Sequence, residues 1–254
     1  MSRDNAFTIP GAVEIIAHRG YSARAPENTL AAIEAAITAG ADAVEFDLHV
    51  TADGIPVLFH DERLERTSSG KGPLRALSLA ELVKLDAGAW FDPRFAGERI
   101  PPFANALDAL RGRVGRAYPE VKHYGAPSDL TRMVETVTAV GVANETVFIS
   151  MVWEALEQMR RVRSELNVGY IVEHPSRARG AIERAAGDPH ALVDFDARIL
   201  LADPALTDLA QERGVPLAVW TVNDPGTAAR LLELGVRRIT TNEVGDLLAW
   251  KATL

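Results

Sequence analysis

A chain of 254 residues, 47% hydrophobic and 24% charged, has the size and balance of one large globular domain. Its formal net charge of −8, with no basic tract, argues against nucleic acid as a partner. The absence of cysteine excludes disulfides, thiolate metal ligands and a cysteine nucleophile, and it fits a reducing compartment.

Residues 1–20 hold no long apolar run, and no later stretch is long enough to span a bilayer. A soluble, cytoplasmic protein without stable membrane insertion is therefore expected. The first β-rich run, 13–19, ends in His18-Arg19. After Asn28-Thr29, the apolar residues Leu30, Ile33 and Ile37 fall at helical spacing. The second run, 42–48, carries Glu45 and Asp47 two residues apart, so both point to the same face of a strand. Asp53-Gly54 between β-rich runs predicts a two-residue hairpin turn. With that loop, Asp47 lies opposite His60 on one face.

About 55 residues then precede the next barrel strand, too many for a simple return helix. This insertion, about 62–104, contains a Ser78–Glu81 capping box and the aromatic run Trp90, Phe91 and Phe95. It reads equally as a satellite cluster packed on the main body or as a lid that shapes a pocket. Further strands are expected at 115–122, 146–151, 167–172, 191–195, 216–222 and 237–242. Asp203-Pro204 and Asp224-Pro225 each read as an N-cap followed by the first helical position, and Gly235 ends the penultimate helix.

If the arm after Asp53-Gly54 is only the return of a hairpin, eight strands alternate with helical stretches. That is the pattern of an α/β (β/α)8 TIM barrel, here one domain over 1–254 with a small insertion after the second strand's hairpin. An open doubly wound sheet is the runner-up, lowered because no glycine-rich phosphate fingerprint follows any strand. Barrel chemistry is carried at the C-terminal ends of strands. His18 and Arg19, Glu45 and Asp47, Glu120 and Lys122, and Trp220 all fall at or near such ends.

Glu45, Asp47 and Glu120 offer three hard oxygen ligands, a set suited to one divalent cation, Mg2+ or Ca2+. For any one of them alone, an ion pair with Arg or Lys is the plainer reading. Like charges placed close together need a cation, however. His18 and His60 are two of six histidines and flank this cluster, which suits the two proton transfers of ester cleavage. His49 shares parity with Asp47 but lies nearer the hairpin tip, and it is left outside the site. Arg19 and Lys122 serve either as charge partners or as contacts for phosphate oxygens. Trp220 is either core packing or an apolar wall for a small substrate.

The stretch from Ala17 to Asp61 combines HRG, PENT, the E-x-D pair, T-x-D-G-x-P-V and HD. It closely resembles the opening signature of the glycerophosphodiester phosphodiesterases. "LERTSSGKG", "SLAELVKLDAG", "PEVK" and "VWTVND" extend the resemblance from about residue 15 to 245. The resemblance implies a TIM barrel that hydrolyses a phosphodiester with a divalent metal. It implies that His18 and His60 are the acid–base pair, and that Glu45, Asp47 and Glu120 are the metal ligands. Arg19 and Lys122 would contact phosphate and Trp220 the glycerol side, while Glu27 and Asn28 support the strand–helix junction. Two departures, Thr241-Asn242 for the frequent T-D and "SMVW" for the common S-F, bear on substrate preference rather than on chemistry.

The expected function is therefore metal-dependent hydrolysis of a small glycerophosphodiester to glycerol 3-phosphate and an alcohol. A lysophospholipase D-like reaction on a lysolipid is the nearest alternative. A barrel that binds phosphorylated ligands without turnover is the non-enzymatic one, and a zinc amidohydrolase is weaker because no H-x-H follows the first strand.

Overall fold

The protein is described by a computed structural model covering Ala6, Phe7, Ile9 and residues 13–254; the expectation drawn from residues 1–20 falls partly outside the described residues. The strands are β1 (Glu14–Ala17), β2 (Ala43–Val50), β3 (Pro56–Leu58), β4 (Arg116–Val121), β5 (Val147–Ser150), β6 (Asn167–Val172), β7 (Ala191–Asp196), β8 (Leu217–Trp220) and β9 (Arg238–Thr241). Parallel pairing runs β1-β2-β4-β5-β6-β7-β8-β9 and returns to β1, with β3 antiparallel on β2. This is the closed eight-stranded barrel, with helices between its strands.

Side-chain alternation sorts each strand into two faces. Val44, Phe46 and Leu48 of β2 and Val193 and Phe195 of β7 pack outward against the helices. Ile16, Ala43, Tyr118, Val147, Ile149, Ile171, Leu192 and Ala218 fill the barrel interior. One interior step above this apolar layer, the same parity brings His18, Glu45, Glu120, Asp194, Trp220 and Thr240 to the C-terminal opening. The other end is closed by Glu14, which accepts from the Tyr118 hydroxyl at 3.0 Å and ion-pairs with Arg238 at 3.0 Å.

The β2–β3 hairpin differs from the two-residue expectation. Leu48 pairs with Leu58 and Val50 with Pro56, so the register is shifted by one and Asp47 lies opposite Phe59 rather than His60. Thr51 N–H donates to Ile55 O at 3.1 Å and Gly54 N–H to Thr51 O at 3.0 Å, with Gly54 at φ 75°. The loop is thus the three-residue type, a turn followed by a left-handed residue, and Asp-Gly serves it as well as it serves the shorter one. His60 sits beyond the end of β3 and reaches the opening from the loop that follows.

Residues 62–104 form a satellite core of their own, in which Leu64, Leu74, Leu82, Ala87 and Ile100 pack with Val57 and Phe59. The Ser78–Glu81 box is present, with Ser78 N–H donating to Glu81 Oε2 at 2.8 Å, but it starts a single turn, Leu79–Leu82. Thr29 caps the helix Leu30–Ala39 through Ala32 N–H, and Asp224 caps Pro225–Glu233 through Thr227 N–H. Asp203 does not act as expected: it closes the preceding helix, Ala197–Ala202, and Pro204 stands at the cap of Ala205–Glu212.

Candidate functional site

Register places the acids. Ala17 pairs with Val44 and with Thr241, which brings His18 beside Glu45 on one side and Asn242 on the other. Asp47 pairs with Glu120, and Lys122 follows the last β4 residue. Carboxylate oxygens of Glu45, Asp47 and Glu120 lie within 4.8 Å of one another, and all three residues are buried. Asp47 Oδ1 is buried without a hydrogen-bond partner among the described residues. Three converging hard oxygens, one of them free to donate a lone pair, fit a divalent cation of the Mg2+ or Ca2+ kind.

The cluster is strained electrostatically without such a charge. Burial, then the Asp47 and Glu120 charges, raises the Glu45 pKa well above the ordinary carboxylate range. Burial and Asp47 likewise lift Glu120 to about 7. Burial acts on Asp47 too, but Arg19, His60, Lys122 and the Asn28 hydrogen bond together hold it below its usual value. Asp47 is therefore the carboxylate of the three held ionised by its neighbours.

The loop after β1 wraps this group. Arg19 and Asn28 both adopt φ 58°, and Gly20 has φ 76°. A Cβ at Gly20 would lie 2.5 Å from the Ala32 carbonyl carbon, so only glycine fits where the loop crosses the helix. Arg19 N–H donates to Glu45 Oε2 at 2.8 Å, while its guanidinium lies 3.2 Å from Asp47 Oδ2 and 2.8 Å from Glu27. Asn28 grips Asp47 twice, donating to Oδ2 at 2.7 Å and accepting from the backbone N–H at 3.0 Å. Lys122 Nζ lies 3.1 Å from Glu120 and 3.9 Å from Asp47.

The two imidazoles have unlike partners. His18 Nδ1 bonds Asn242 Oδ1 at 2.7 Å, which puts the proton on Nδ1 and leaves Nε2 facing Glu45 at 3.9 Å. Burial first, then Arg19, lowers the His18 pKa to about 4. His60 Nδ1 instead bonds the Asp61 carboxylate at 2.6 Å. Arg66 fixes Asp61 through Nε at 2.7 Å and also holds Glu27, tying the insertion to the loop after β1.

All eight residues expected from the sequence are brought to this opening. His18, Arg19, Glu45, His60, Glu120, Lys122 and Trp220 line one cavity of about 420 Å3, and Asp47 is buried directly behind them. Several supporting residues had been passed over. His49, set aside for its place near the hairpin tip, is buried and its Nε2 bonds the His60 carbonyl at 2.9 Å. Asn242, read as bearing on substrate preference alone, contacts His18 itself. Asp61, part of the HD motif but assigned no role from the sequence, follows His60 directly, and Asp194, which interrupts an apolar run, is not among the residues expected at the site.

Comparison with known proteins identifies the family and the fold. The sequence profile of the glycerophosphoryl diester phosphodiesterase family matches residues 18–246. A glycerophosphodiester phosphodiesterase of Caldanaerobacter subterraneus is 29% identical over 240 residues, covering 92% of this chain and 96% of the relative. The crystal structure of an Agrobacterium tumefaciens glycerophosphodiester phosphodiesterase superposes with a TM-score of 0.81 at 28% identity, covering 93% of this chain and 99% of that one. An Oleispira antarctica phosphodiesterase, solved with the product sn-glycerol-3-phosphate, superposes with a TM-score of 0.81 at 27% identity, covering 93% and 96%. The chain belongs to the glycerophosphoryl diester phosphodiesterase family, a class of phosphoric diester hydrolases.

Proposed function

We propose that the protein hydrolyses small glycerophosphodiesters to glycerol 3-phosphate and an alcohol, using one divalent cation held by Glu45, Asp47 and Glu120 and an acid–base pair of His18 and His60. The observation that carries this reading is the convergence of three carboxylates within 4.8 Å in a cavity that two imidazoles also line. When bound, the cation would offset charge on the phosphoryl oxygens and make phosphorus a better electrophile. Mg2+ and Ca2+ both suit the oxygen donors.

The chain's own groups supply the rest. Arg19 and Lys122 bring two positive charges to the phosphate, where charge-assisted bonds strengthen as negative charge builds in the transition state. His18 starts neutral, with its Nε2 lone pair open, and so takes a proton from the attacking hydroxyl. His60, backed by the Asp61 carboxylate, gives a proton to the departing alcohol. Attack by a glycerol hydroxyl followed by water, or by water at once, uses the same pair. Trp220 forms a wall on the glycerol side. The insertion at 62–104 borders the mouth as a tethered flank, held by Arg66 on Glu27 and Asp61. Among the described residues no helix is long and apolar enough to cross a membrane.

Incubation with glycerophosphocholine and with lysophosphatidylcholine, each with and without chelator, tests the reading. Cation-dependent release of glycerol 3-phosphate from the first supports it. Preferential turnover of the lysolipid would favour the lysophospholipase D-like alternative, and turnover unaffected by chelator would remove the metal.

A further inference from the structure

Across the opening from the three acids stands a fourth, Asp194. It lies on β7, four strands from β2 in either direction around the barrel, and is no member of the acid cluster. Asp194 shares the interior face with Leu192 two residues below it, and it lines the catalytic cavity beside Ile149, Met151 and Ile171. It is 4% exposed, and its Oδ1 has no hydrogen-bond partner among the described residues. Trp220 on the adjacent strand is one interior step higher, since Asp194 pairs with Ala218 and Asp196 with Trp220. Its Nε1 is likewise buried, unpartnered and in the same cavity wall.

A fold with no use for these two atoms loses stability by keeping them, because a buried unsatisfied donor or acceptor is penalised where an apolar side chain is not. We propose that Asp194 and the Trp220 indole N–H form a hydroxyl-reading subsite for the glycerol end of the substrate, making Asp194 a specificity-determining residue. This rests on the glycerophosphodiesterase reading above. The chemistry of the pair selects the group. An indole N–H only donates, whereas the carboxyl Oδ1 accepts. A hydroxyl accepts from the first and donates to the second. An ammonium only donates and leaves the indole unmatched, and an alkyl group leaves both unmatched. Burial, with Glu120 adding, lifts the Asp194 pKa to about 8, so an uncharged partner meets an uncharged acid at neutral pH.

The test is calorimetric binding to the Ca2+-loaded protein of three probes: glycerol 3-phosphate, n-propyl phosphate and 3-aminopropyl phosphate. The wild type is expected to bind glycerol 3-phosphate about tenfold or more tighter than n-propyl phosphate, from two matched buried hydrogen bonds. Asp194→Leu and Trp220→Phe should each bring that ratio to within about threefold of unity. Asp194→Asn keeps an acceptor oxygen and should retain the preference. If Asp194→Leu fails to fold, Trp220→Phe decides. Equal binding of glycerol 3-phosphate and n-propyl phosphate by the wild type, an unchanged ratio in the variants, or tighter binding of 3-aminopropyl phosphate would overturn the proposal. Turnover of glycerophosphocholine by the wild type is measured separately. Its absence would sink the proposed function, while turnover with an unaltered ratio would sink the subsite alone.

Discussion

Asn28 is where one substitution tests how the site is held. Its side chain makes two buried bonds to Asp47, at 2.7 Å to the carboxylate and 3.0 Å from the backbone N–H, and its own φ is 58°. Asn28→Ala removes a hydrogen bond to a charged group, about 1.5–3 kcal/mol, and orphans a buried N–H, about 1–3 kcal/mol. Alanine in the left-handed region adds about 1–2 kcal/mol. The summed loss, about 3.5–8 kcal/mol, is a large share of the stability of an ordinary domain. At about 2–4 °C per kcal/mol for a chain of this size, Tm should fall by about 7–32 °C. Asn28→Gly removes the same bonds without the backbone penalty and should recover about 1 kcal/mol relative to alanine. Because Asp47 then loses its orientation, Ca2+ affinity should fall about 10- to 100-fold in both variants. Thermal unfolding by circular dichroism and calorimetric Ca2+ titration read the two effects. An alanine variant within about 1 kcal/mol of wild type, or unchanged Ca2+ affinity, would refute the claim that Asn28 positions Asp47.

His18→Ala and His60→Ala should each lower kcat about 10²- to 10⁴-fold with Tm nearly unchanged, and near-full turnover in either would take that imidazole out of the chemistry. Burial and neighbouring charge raise the Glu45 pKa and lift that of Glu120 to about 7, whereas a ligating carboxylate must be deprotonated. Ca2+ binding should therefore release protons at pH 7 and weaken as pH falls from 8 to 6; calorimetry in buffers of different ionisation enthalpy measures this, and pH-independent affinity would contradict it. Arg66 hydrogen bonds hold Asp61 below its ordinary range, and Arg66 with Arg19 outweighs burial to do the same for Glu27. Folded-state pKa values below the unfolded ones, about 3.9 and 4.3, give stability that is complete above those values and lost as pH falls below them. The Tm gap between wild type and Arg66→Met should accordingly be full at pH 7 and narrow progressively below about pH 4; a gap as wide at pH 3 as at pH 7 would argue against it.

Most of the barrel was legible because its signal is local. Apolar strand runs separated by capped helices announce the architecture, and the two-residue spacing of Glu45 and Asp47 places both on one face of the strand wherever it begins. The hairpin was misread by one residue because Asp-Gly satisfies the left-handed position of two different loops, and a one-residue slip exchanges faces. His60 reaches the site regardless, since it extends from a loop rather than from the ladder. The roles of Asn242 and His49 are hidden from the sequence for another reason. Each acts on a histidine far along the chain or through a backbone carbonyl, and pairing of β1 with β9 is a long-range fact that spacing cannot show. Asp194 had a readable signal, an acid within an apolar β run at the parity of Leu192, but its meaning depends on which strand faces the acid cluster across the opening.

The most direct measurement is anomalous diffraction from crystals soaked in Ca2+ at a long wavelength. One peak at about 2.3–2.6 Å from oxygens of Glu45, Asp47 and Glu120 together, within the His18 and His60 cavity, is the expected result. A cation bound elsewhere with these three carboxylates left turned away from one another would contradict the central claim.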